Sequence, residues 1–333
     1  MAGMVHTTSR MLGQTGIAVS RVALGCGTFG GVGSPRHLIG RGLDRDASLA
    51  CMDEALALGI DLLDTAHSYA DGASERYIGE WLECQTSETR ASMHLATKVG
   101  TVVTDSGIAV DLSPQTIVEQ LTESLTRLGV ARVDFCLSHA PDPATPIEAT
   151  LHGFADVIGR GWVSHIGACN IDAEHLTAAV QTSSRLGLPR YEWVQNEYNL
   201  LNRSDEQALL KVCSAQGIGY TPFSPMAGGL LSGKYVRDQP PPPDSRLSLR
   251  PHGSPPSKAI FEGIAQLQGE AARRGCDPGA LALAWVTNHP QVTTAICGPS
   301  RRAEHLRLPR QALTIDLDAP TRARIGAWFP ADV

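Results

Sequence analysis

Eight short apolar runs, rich in β-branched and aromatic residues, recur along the chain, and this repeat constrains the fold most strongly. Between them lie stretches with the spacing of amphipathic helices. A strand followed by a helix, repeated eight times, predicts a parallel sheet covered by helices. The predicted strands are residues 22–25, 60–65, 93–99, 133–139, 162–169, 191–197, 218–223 and 292–297. The predicted helices are residues 47–58, 74–82, 114–128, 147–158, 173–186, 205–215 and 321–329.

The predicted strands are apolar on both faces, as in a (β/α)8 TIM barrel, whose strands have packed side chains inside and helices outside. An open doubly wound sheet is the alternative. Residues 9–21 contain two short strand-like pieces around Gly13 and Gly16, which predicts an N-terminal β-hairpin over the barrel floor. Barrels of this class fold as one unit, so we expect residues 1–333 to form a single domain with long loops at the C-terminal mouth.

The longest of these loops spans residues 226–258 and contains the motif DQPPPPDSR. Consecutive prolines enter neither helix interiors nor central strands. We therefore expect a mobile, proline-rich surface loop.

Composition excludes some classes of protein. The formal net charge is −6, which disfavours a nucleic-acid partner. The eight cysteines form no CxxC pair, so we expect free thiols in a reducing compartment and no metal site. No signal peptide and no apolar run of about 18 residues is present, so we expect a cytoplasmic protein without a membrane partner.

A GxGxxG pattern at Gly25, Gly27 and Gly30 follows the first predicted strand and suggests a Rossmann nucleotide site. That fingerprint requires a helix to begin at the third glycine, whereas helical spacing resumes only near Asp46. We interpret the segment as a glycine-rich loop, with Gly27 and Thr28 close to a ligand.

Polar residues stand at the carboxyl ends of the predicted strands, which all meet at one mouth of a barrel. Asp64 ends the second strand, Lys98 the third and His139 the fourth. Each has a structural alternative: Asp64 as a turn cap, Lys98 reaching solvent, His139 as a buried structural histidine. Together they favour a site, because a buried lysine requires a counter-charge and Asp64 lies on the neighbouring strand.

Tyr69 lies five residues beyond Asp64, on the loop over the same mouth. An adjacent Lys98 ammonium would stabilise the phenolate and lower the pKa of Tyr69. Tyr69 would then donate a proton to an alkoxide formed by hydride attack, while His139 binds the same oxygen. His67 is a candidate pocket residue and His165 a structural one.

Six motifs in order resemble the aldo-keto reductase superfamily over nearly the whole chain. The resemblance implies a (β/α)8 barrel that binds a nicotinamide dinucleotide across its mouth, and a catalytic tetrad of Asp64, Tyr69, Lys98 and His139 with Tyr69 as general acid. The motifs are DTAHSYADGASE (64–75), ATKVG (96–100), LSHAPDP (137–143), GACN (167–170), QNEYNLLNR (195–203) and PFSPMAGGLLSGKY (222–235).

The same resemblance assigns cofactor contacts. Asn170 and Gln195 would bind the nicotinamide carboxamide, and Phe223 would stack under the ring. The pyrophosphate would be bound by Ser224, Pro225, Met226, Gly228, Leu230, Ser232 and Lys234. The segment GPSRRAEHL (298–306) resembles the helix start that binds the adenosine 2′-phosphate, with Gly298, Ser300, Arg301, Arg302 and His305 as contacts. Two arginines there favour NADPH over NADH; a solvated basic helix start is the alternative.

Two positions and one segment depart from the family pattern. Cys169 replaces a serine that often precedes Asn170, and Phe223 replaces a commoner tyrosine or tryptophan, which keeps the stacking surface. Residues 305–313 lack the acidic residue and asparagine that often bind the adenine.

The sequence thus predicts an NADPH-dependent carbonyl reductase whose small-molecule carbonyl substrate is hydroxylated or keto-sugar-like. The polar loops expected around this pocket are residues 31–41, 69–71, 102–111 and 226–257. A nicotinamide-nucleotide-binding regulatory subunit with slow or no turnover is the alternative, since some relatives accompany membrane channels. A hydrolase using Asp64 with Glu75 or Asp142 lacks a convincing acid/base pair.

Overall fold

The computed structural model describes residues 9–104, 107–243, 245–249, 256–299 and 306–330. Eight parallel strands form one sheet in which each strand pairs with its neighbours along the chain. The first and last of them pair at Val22 and Ala295, and the seventh bridges to the eighth at Tyr220 and Val292, so the sheet closes into a barrel. The prediction of a (β/α)8 barrel is confirmed.

The antiparallel hairpin at the N-terminus is also present, with residues 10–11 paired to residues 18–19. A second hairpin, of residues 101–104 and 107–110, follows the third barrel strand and was not predicted. The strands are β1 (Arg10–Met11), β2 (Ala18–Val19), β3 (Val22–Gly25), β4 (Leu62–Asp64), β5 (His94–Val99), β6 (Thr101–Thr104), β7 (Gly107–Val110), β8 (Val133–Ser138), β9 (Val163–Cys169), β10 (Tyr191–Gln195), β11 (Gly219–Tyr220) and β12 (Ala295–Cys297).

Helices cover the barrel, and several of them begin at a residue whose side chain caps the first turn. The Ser113 side chain accepts a hydrogen bond from the Thr116 amide with Pro114 at the first helical position, and Asp172 likewise caps the helix after β9. The helices are α1 (Arg45–Ala57), α2 (Ala73–Glu83), α3 (Ser87–Ser92), α4 (Pro114–Leu128), α5 (Ile147–Gly159), α6 (Ala173–Leu186), α7 (Leu209–Gln216), α8 (Arg246–Leu249), α9 (Lys258–Arg274), α10 (Pro278–Thr287), α11 (Arg307–Ala312) and α12 (Ala319–Gly326).

Some predicted bounds were wrong. The helix expected over residues 205–215 is a 3-10 turn, Ser204–Glu206, followed by α7, because Ala208, with φ of −137°, leaves the helical path. The seventh strand ends at Tyr220 rather than Phe223. Within the proline-rich segment, a 3-10 helix (Ala227–Ser232) and α8 form. Among the described helices, none is both long and apolar enough to cross a lipid bilayer.

Two layers of apolar side chains hold the barrel together. A small inner cluster fills the space within the strands and includes Leu62, Phe135 and Trp193. A larger cluster lies between the strands and the helices and includes Trp81, Ile117 and Trp285. Because the packed interior closes the barrel below, a ligand can enter only from the mouth.

Candidate active site

Three of the predicted site residues lie at the carboxyl ends of neighbouring strands. Asp64 is the last residue of β4, Lys98 is the penultimate residue of β5, and His139 directly follows β8. The His139 amide donates to the Val99 carbonyl at 2.9 Å, which continues the pairing of β5 with β8 by one residue. The strand register therefore places the three side chains at one mouth, as the sequence predicted.

The Lys98 ammonium is the centre of the site and is only 1% exposed. Its Nζ donates to Asp64 Oδ2 at 2.7 Å, to the Thr65 carbonyl at 2.8 Å and to the Tyr69 hydroxyl at 3.4 Å. An ammonium has three donors, and all three have a partner here. The Asp64 carboxylate is the counter-charge that a buried lysine requires.

The electrostatic balance differs from the sequence-based expectation for Tyr69. Burial raises the pKa of Tyr69, and the Lys98 charge lowers it by a smaller amount, so the net direction is upward. Burial alone would lower the pKa of Lys98, but Asp64 and Tyr69 outweigh it and the net direction is again upward. Lys98 therefore stays charged and acts on Tyr69 in the predicted sense, while the predicted net lowering is wrong because burial dominates.

His139 lies beside Tyr69 with the two rings in a T-shaped arrangement, 5.5 Å between centroids. Its Nδ1 forms a 2.9 Å hydrogen bond with the Thr101 hydroxyl. Burial, together with the Lys98 charge, lowers the pKa of His139 to about 3. The imidazole is therefore neutral at physiological pH, and Thr101 sets its orientation.

Asn170 and Gln195 lie at the ends of the next two strands, β9 and β10, and the Asn170 backbone amide donates to the Gln195 carbonyl at 3.1 Å. The buried Gln195 amide donates to Asp64 Oδ1 at 2.8 Å, and the exposed Asn170 amide donates to the His139 carbonyl at 2.9 Å. Asn170 has φ of 55°, which turns the chain away from β9 at this point. Both amide nitrogens thus have protein partners that the sequence did not reveal.

This arrangement agrees with the similarity of the chain to known proteins. The sequence model of the Aldo/keto reductase family matches residues 21–327. The chain belongs to that family. A putative voltage-gated potassium channel subunit beta from Schizosaccharomyces pombe is 32% identical over 88% of this chain and 84% of its own length. An NADH-specific methylglyoxal reductase from Escherichia coli is 31% identical, over 92% and 93%, and a versiconal hemiacetal acetate reductase from Aspergillus parasiticus is 29% identical, over 84% and 85%.

In this aldo/keto reductase, the segment after β11 contains a run of left-handed backbone. Ser224 has φ of 51°, Ala227 of 48°, Gly228 of 63° and Gly229 of 92°. Ala227, Gly228 and Gly229 are consecutive left-handed residues, and the Ala227 and Gly229 amides donate to the Ser224 and Met226 carbonyls at 2.9 Å. The segment is therefore a tight turn closed by its own backbone hydrogen bonds.

The side chains of that segment that are predicted to bind the pyrophosphate differ in burial and in their partners. Ser232 donates to the Gly229 carbonyl at 2.6 Å, so its hydroxyl is engaged within the segment. The exposed Lys234 lies over the Tyr235 ring, with Nζ 5.2 Å from its centroid, and packs beside Gly229. Phe223 packs partly buried against the inner cluster. Pro225 and Leu230 are buried and Met226 is half-buried.

The glycine-rich loop after β3 contributes to the same mouth. Gly27 lies against the Tyr69 ring, where an added Cβ would be 3.4 Å away. Thr28 donates to the Pro299 carbonyl at 2.8 Å and so joins this loop to the end of the barrel, next to Gly298. The remaining predicted 2′-phosphate contacts, Ser300, Arg301, Arg302 and His305, lie outside the described residues.

Arg246, the last residue of the motif DQPPPPDSR, was not predicted as a site residue from the sequence. It packs beside Gly228, and the charges of Tyr69 and Glu197 act on it. Burial lowers the pKa of Arg246, and Tyr69 and Glu197 counteract this. In the sequence, Arg246 stands out only as a basic residue at the end of the proline-rich motif. The helix that carries it, α8, has four residues and is too short to show helical periodicity.

A cavity of about 180 Å³ lies at the rim of the mouth, between the loop after β3, the Tyr69 loop and the β6–β7 hairpin. One wall is formed by Ser34 and Ser68, whose hydroxyls are 2.7 Å apart. The other lining residues are Arg36, Ile39, His67, Asp71, Thr101, Val102, Val103 and Gln120. His67 is thus a pocket residue, and most of the wall is polar.

Proposed function

We propose that this protein reduces an aldehyde or ketone to an alcohol, with NADPH as the hydride donor. The observation that carries this proposal is the Lys98 ammonium, which lies between Asp64 Oδ2 and the Tyr69 hydroxyl at 2.7 and 3.4 Å. A hydroxyl beside a fixed cation releases its proton more readily than one beside apolar groups alone. Tyr69 is therefore the proposed general acid.

Tyr69, Lys98 and His139 together transfer one proton to the substrate oxygen. Bound NADPH would supply hydride to the carbonyl carbon. Tyr69 donates its proton to the oxygen that becomes negative, and Lys98 stabilises the resulting phenolate. The Thr101 hydroxyl can donate to His139 Nδ1, which leaves the Nε2 proton for the same oxygen.

The described residues fit a dinucleotide. Arg246 and Lys234 place positive charge beside Gly228 and Gly229 in the turn after β11, which suits the pyrophosphate of a dinucleotide. The carbonyl oxygens of the Asn170 and Gln195 side chains can accept from a carboxamide, since their nitrogens have protein partners. The preference for NADPH over NADH rests on Arg301 and Arg302 in the sequence.

The polar cavity supports a hydroxylated substrate, such as a keto sugar. Hydroxyl groups on a ligand require partners when they leave water, and Ser34, Ser68 and Asp71 offer donors and acceptors at this rim. The two valines and Ile39 would pack against the carbon skeleton. A purely apolar substrate would leave these polar groups without partners.

A second candidate function is a regulatory subunit that binds the nucleotide and turns it over slowly. The similarity to the potassium channel subunit beta of S. pombe supports it. The filled tetrad favours turnover.

A kinetic assay separates the two. NADPH oxidation is measured with a panel of aldehydes, ketones and keto sugars, and NADPH binding by fluorescence titration. We expect turnover, fastest with hydroxylated carbonyls, and a loss of at least about 100-fold with Tyr69→Phe. Tight binding without turnover of any carbonyl would instead support the regulatory subunit.

A further inference from the structure

The turn that carries Tyr69 contains three successive residues in the left-handed region. Ala70 has φ of 48°, Asp71 of 54° and Gly72 of 78°. Alanine and aspartate adopt this region at a steric cost, so such a turn persists only where its surroundings fix it. The contacts that fix the turn therefore also fix the position of the Tyr69 hydroxyl.

Arg127, on α4 outside the ring of strands, contacts both ends of this turn. Its Nη1 donates to the His67 carbonyl at 3.0 Å, two residues before Tyr69. Its guanidinium also covers Gly72, where a side chain would begin 2.6 Å from Nε and Cζ. The guanidinium thus holds the chain before and after the strained residues.

Glu75 anchors this guanidinium and links it to the strand of Lys98. The carboxylate is fully buried, with Oε2 3.2 Å from Arg127 Nη1 and Oε1 accepting from the Thr97 hydroxyl at 2.7 Å. Thr97 precedes Lys98 in β5, and alternate residues of a strand point to opposite faces. Thr97 therefore faces the helices while Lys98 faces the mouth.

The same guanidinium has a third anchor on its own helix. Its Nη2 donates to Glu123 Oε2 at 2.8 Å, and that oxygen also lies 2.9 Å from His67 Nε2. Arg127 thus binds two carboxylates and one carbonyl at the same time. This requires the planar, forked guanidinium of arginine, and a lysine ammonium does not reproduce that geometry. Arg127 with Glu75 is called the Tyr69 brace below.

We propose that the Tyr69 brace is a positioning device for catalysis: it holds the strained turn so that the Tyr69 hydroxyl stays within reach of Lys98. Arg127 and Glu75 act through the turn and are positioning residues. The brace matters for turnover only if the proposed reductase function holds, but its effect on the contact between Tyr69 and Lys98 does not depend on any substrate.

The charged and titratable groups around Tyr69 come from several elements. They are Asp64 on β4, Lys98 on β5, His139 after β8, Cys169 on β9 and Arg246 on α8. Among these groups of the described residues, only Lys98 donates a hydrogen bond to the Tyr69 hydroxyl. The effect of Lys98 on the titration of Tyr69 therefore reports the distance between the two side chains.

The kinetic test is Arg127→Lys, which keeps the positive charge and loses the fork. We expect kcat to fall by about tenfold or more, since small displacements of a catalytic group are costly. KM and the NADPH dissociation constant should change little, because Arg127 lies behind the mouth. The matched control is Arg160→Lys, which alters an exposed arginine with a two-point contact to Asp156.

The second test measures the contact itself. The phenolate absorbance of Tyr69 is titrated as the difference between each variant and its Tyr69→Phe counterpart. Lys98→Met should raise the pH at which Tyr69 ionises in the parent protein. In the Arg127→Lys background, the same Lys98→Met change should have less than half of that effect.

The outcomes separate the two proposals. Unchanged kcat and an unchanged effect of Lys98→Met, even with a lower melting temperature, would reduce Arg127 to a structural role and overturn the brace. If the parent protein shows no turnover, the reductase function fails and the titration still tests the brace. Should Arg127→Lys not fold, Glu75→Gln, which keeps the size and the acceptor for Thr97, is measured in the same way.

Discussion

The Gln195 side-chain amide donates a 2.8 Å hydrogen bond to Asp64 Oδ1, across the mouth from β10 to β4. Lys98 occupies the other carboxylate oxygen, so both oxygens of Asp64 have a donor. Gln195 is 2% exposed, and its nitrogen is committed to this bond. A residue expected from the family resemblance to bind the cofactor therefore also orients the counter-ion of Lys98.

We predict that Gln195 and Asp64 are energetically coupled. Gln195→Met keeps the volume and removes the donor, and kcat should fall by about tenfold because one oxygen of Asp64 then lacks a partner. In a cycle with Asp64→Ala, the two losses should be non-additive by about 1–2 kcal/mol in activation free energy. Additive losses would show that Gln195 acts through the cofactor alone.

Tyr69→Phe removes only the hydroxyl. Turnover should fall by at least about 100-fold, within the usual range for losing a general acid, while the NADPH dissociation constant stays close to that of the parent. Steady-state kinetics and a fluorescence titration measure the two quantities. Tyr77→Phe, on α2, is a matched control that should turn over normally. Near-normal turnover of Tyr69→Phe would exclude its role as the acid.

The convergence of Asp64, Lys98 and His139 was predictable from the sequence. The repeat of strands predicts a parallel barrel, and the carboxyl ends of all its strands meet at one mouth. Thr101 and Arg246 were not predictable in this way. They lie in β6 and α8, which have four residues each and are too short to show a strand or helix periodicity, and their partners are distant in sequence. The direction of the Tyr69 pKa was also wrong, since the sequence shows a nearby charge but not how completely a phenol is buried.

His139 should make the folded state sensitive to acid. Its pKa is about 3 in the folded protein, whereas an unfolded histidine has a pKa of about 6.5. As pH falls below about 6.5, His139 is protonated in the unfolded state but not in the folded state. The free energy of unfolding therefore decreases progressively down to about pH 3. His139→Gln should remove a part of this loss, amounting to up to a few kcal/mol.

Urea unfolding of the parent and of His139→Gln between pH 7 and pH 4 measures the difference. His289, whose pKa burial lowers to about 4, contributes in the same direction in both proteins and cancels in the comparison. His175→Gln, which changes an exposed histidine at the start of α6, is the control. Parallel curves for the parent and His139→Gln would contradict the burial of a neutral imidazole.

Arg246 and the pair Arg301 and Arg302 should affect cofactor binding differently. The pyrophosphate is common to both nicotinamide cofactors and the 2′-phosphate is not. Arg246→Gln should therefore weaken NADPH and NADH about equally, by roughly 10- to 100-fold for the loss of a charged hydrogen bond. Arg301→Ala combined with Arg302→Ala should weaken the binding of NADPH much more than that of NADH.

Arg237→Gln, which changes an exposed arginine of the same segment paired with Asp238, is the control for Arg246. A loss confined to NADPH in Arg246→Gln would move Arg246 to the 2′-phosphate, and equal losses for both cofactors in the double variant would remove Arg301 and Arg302 from it.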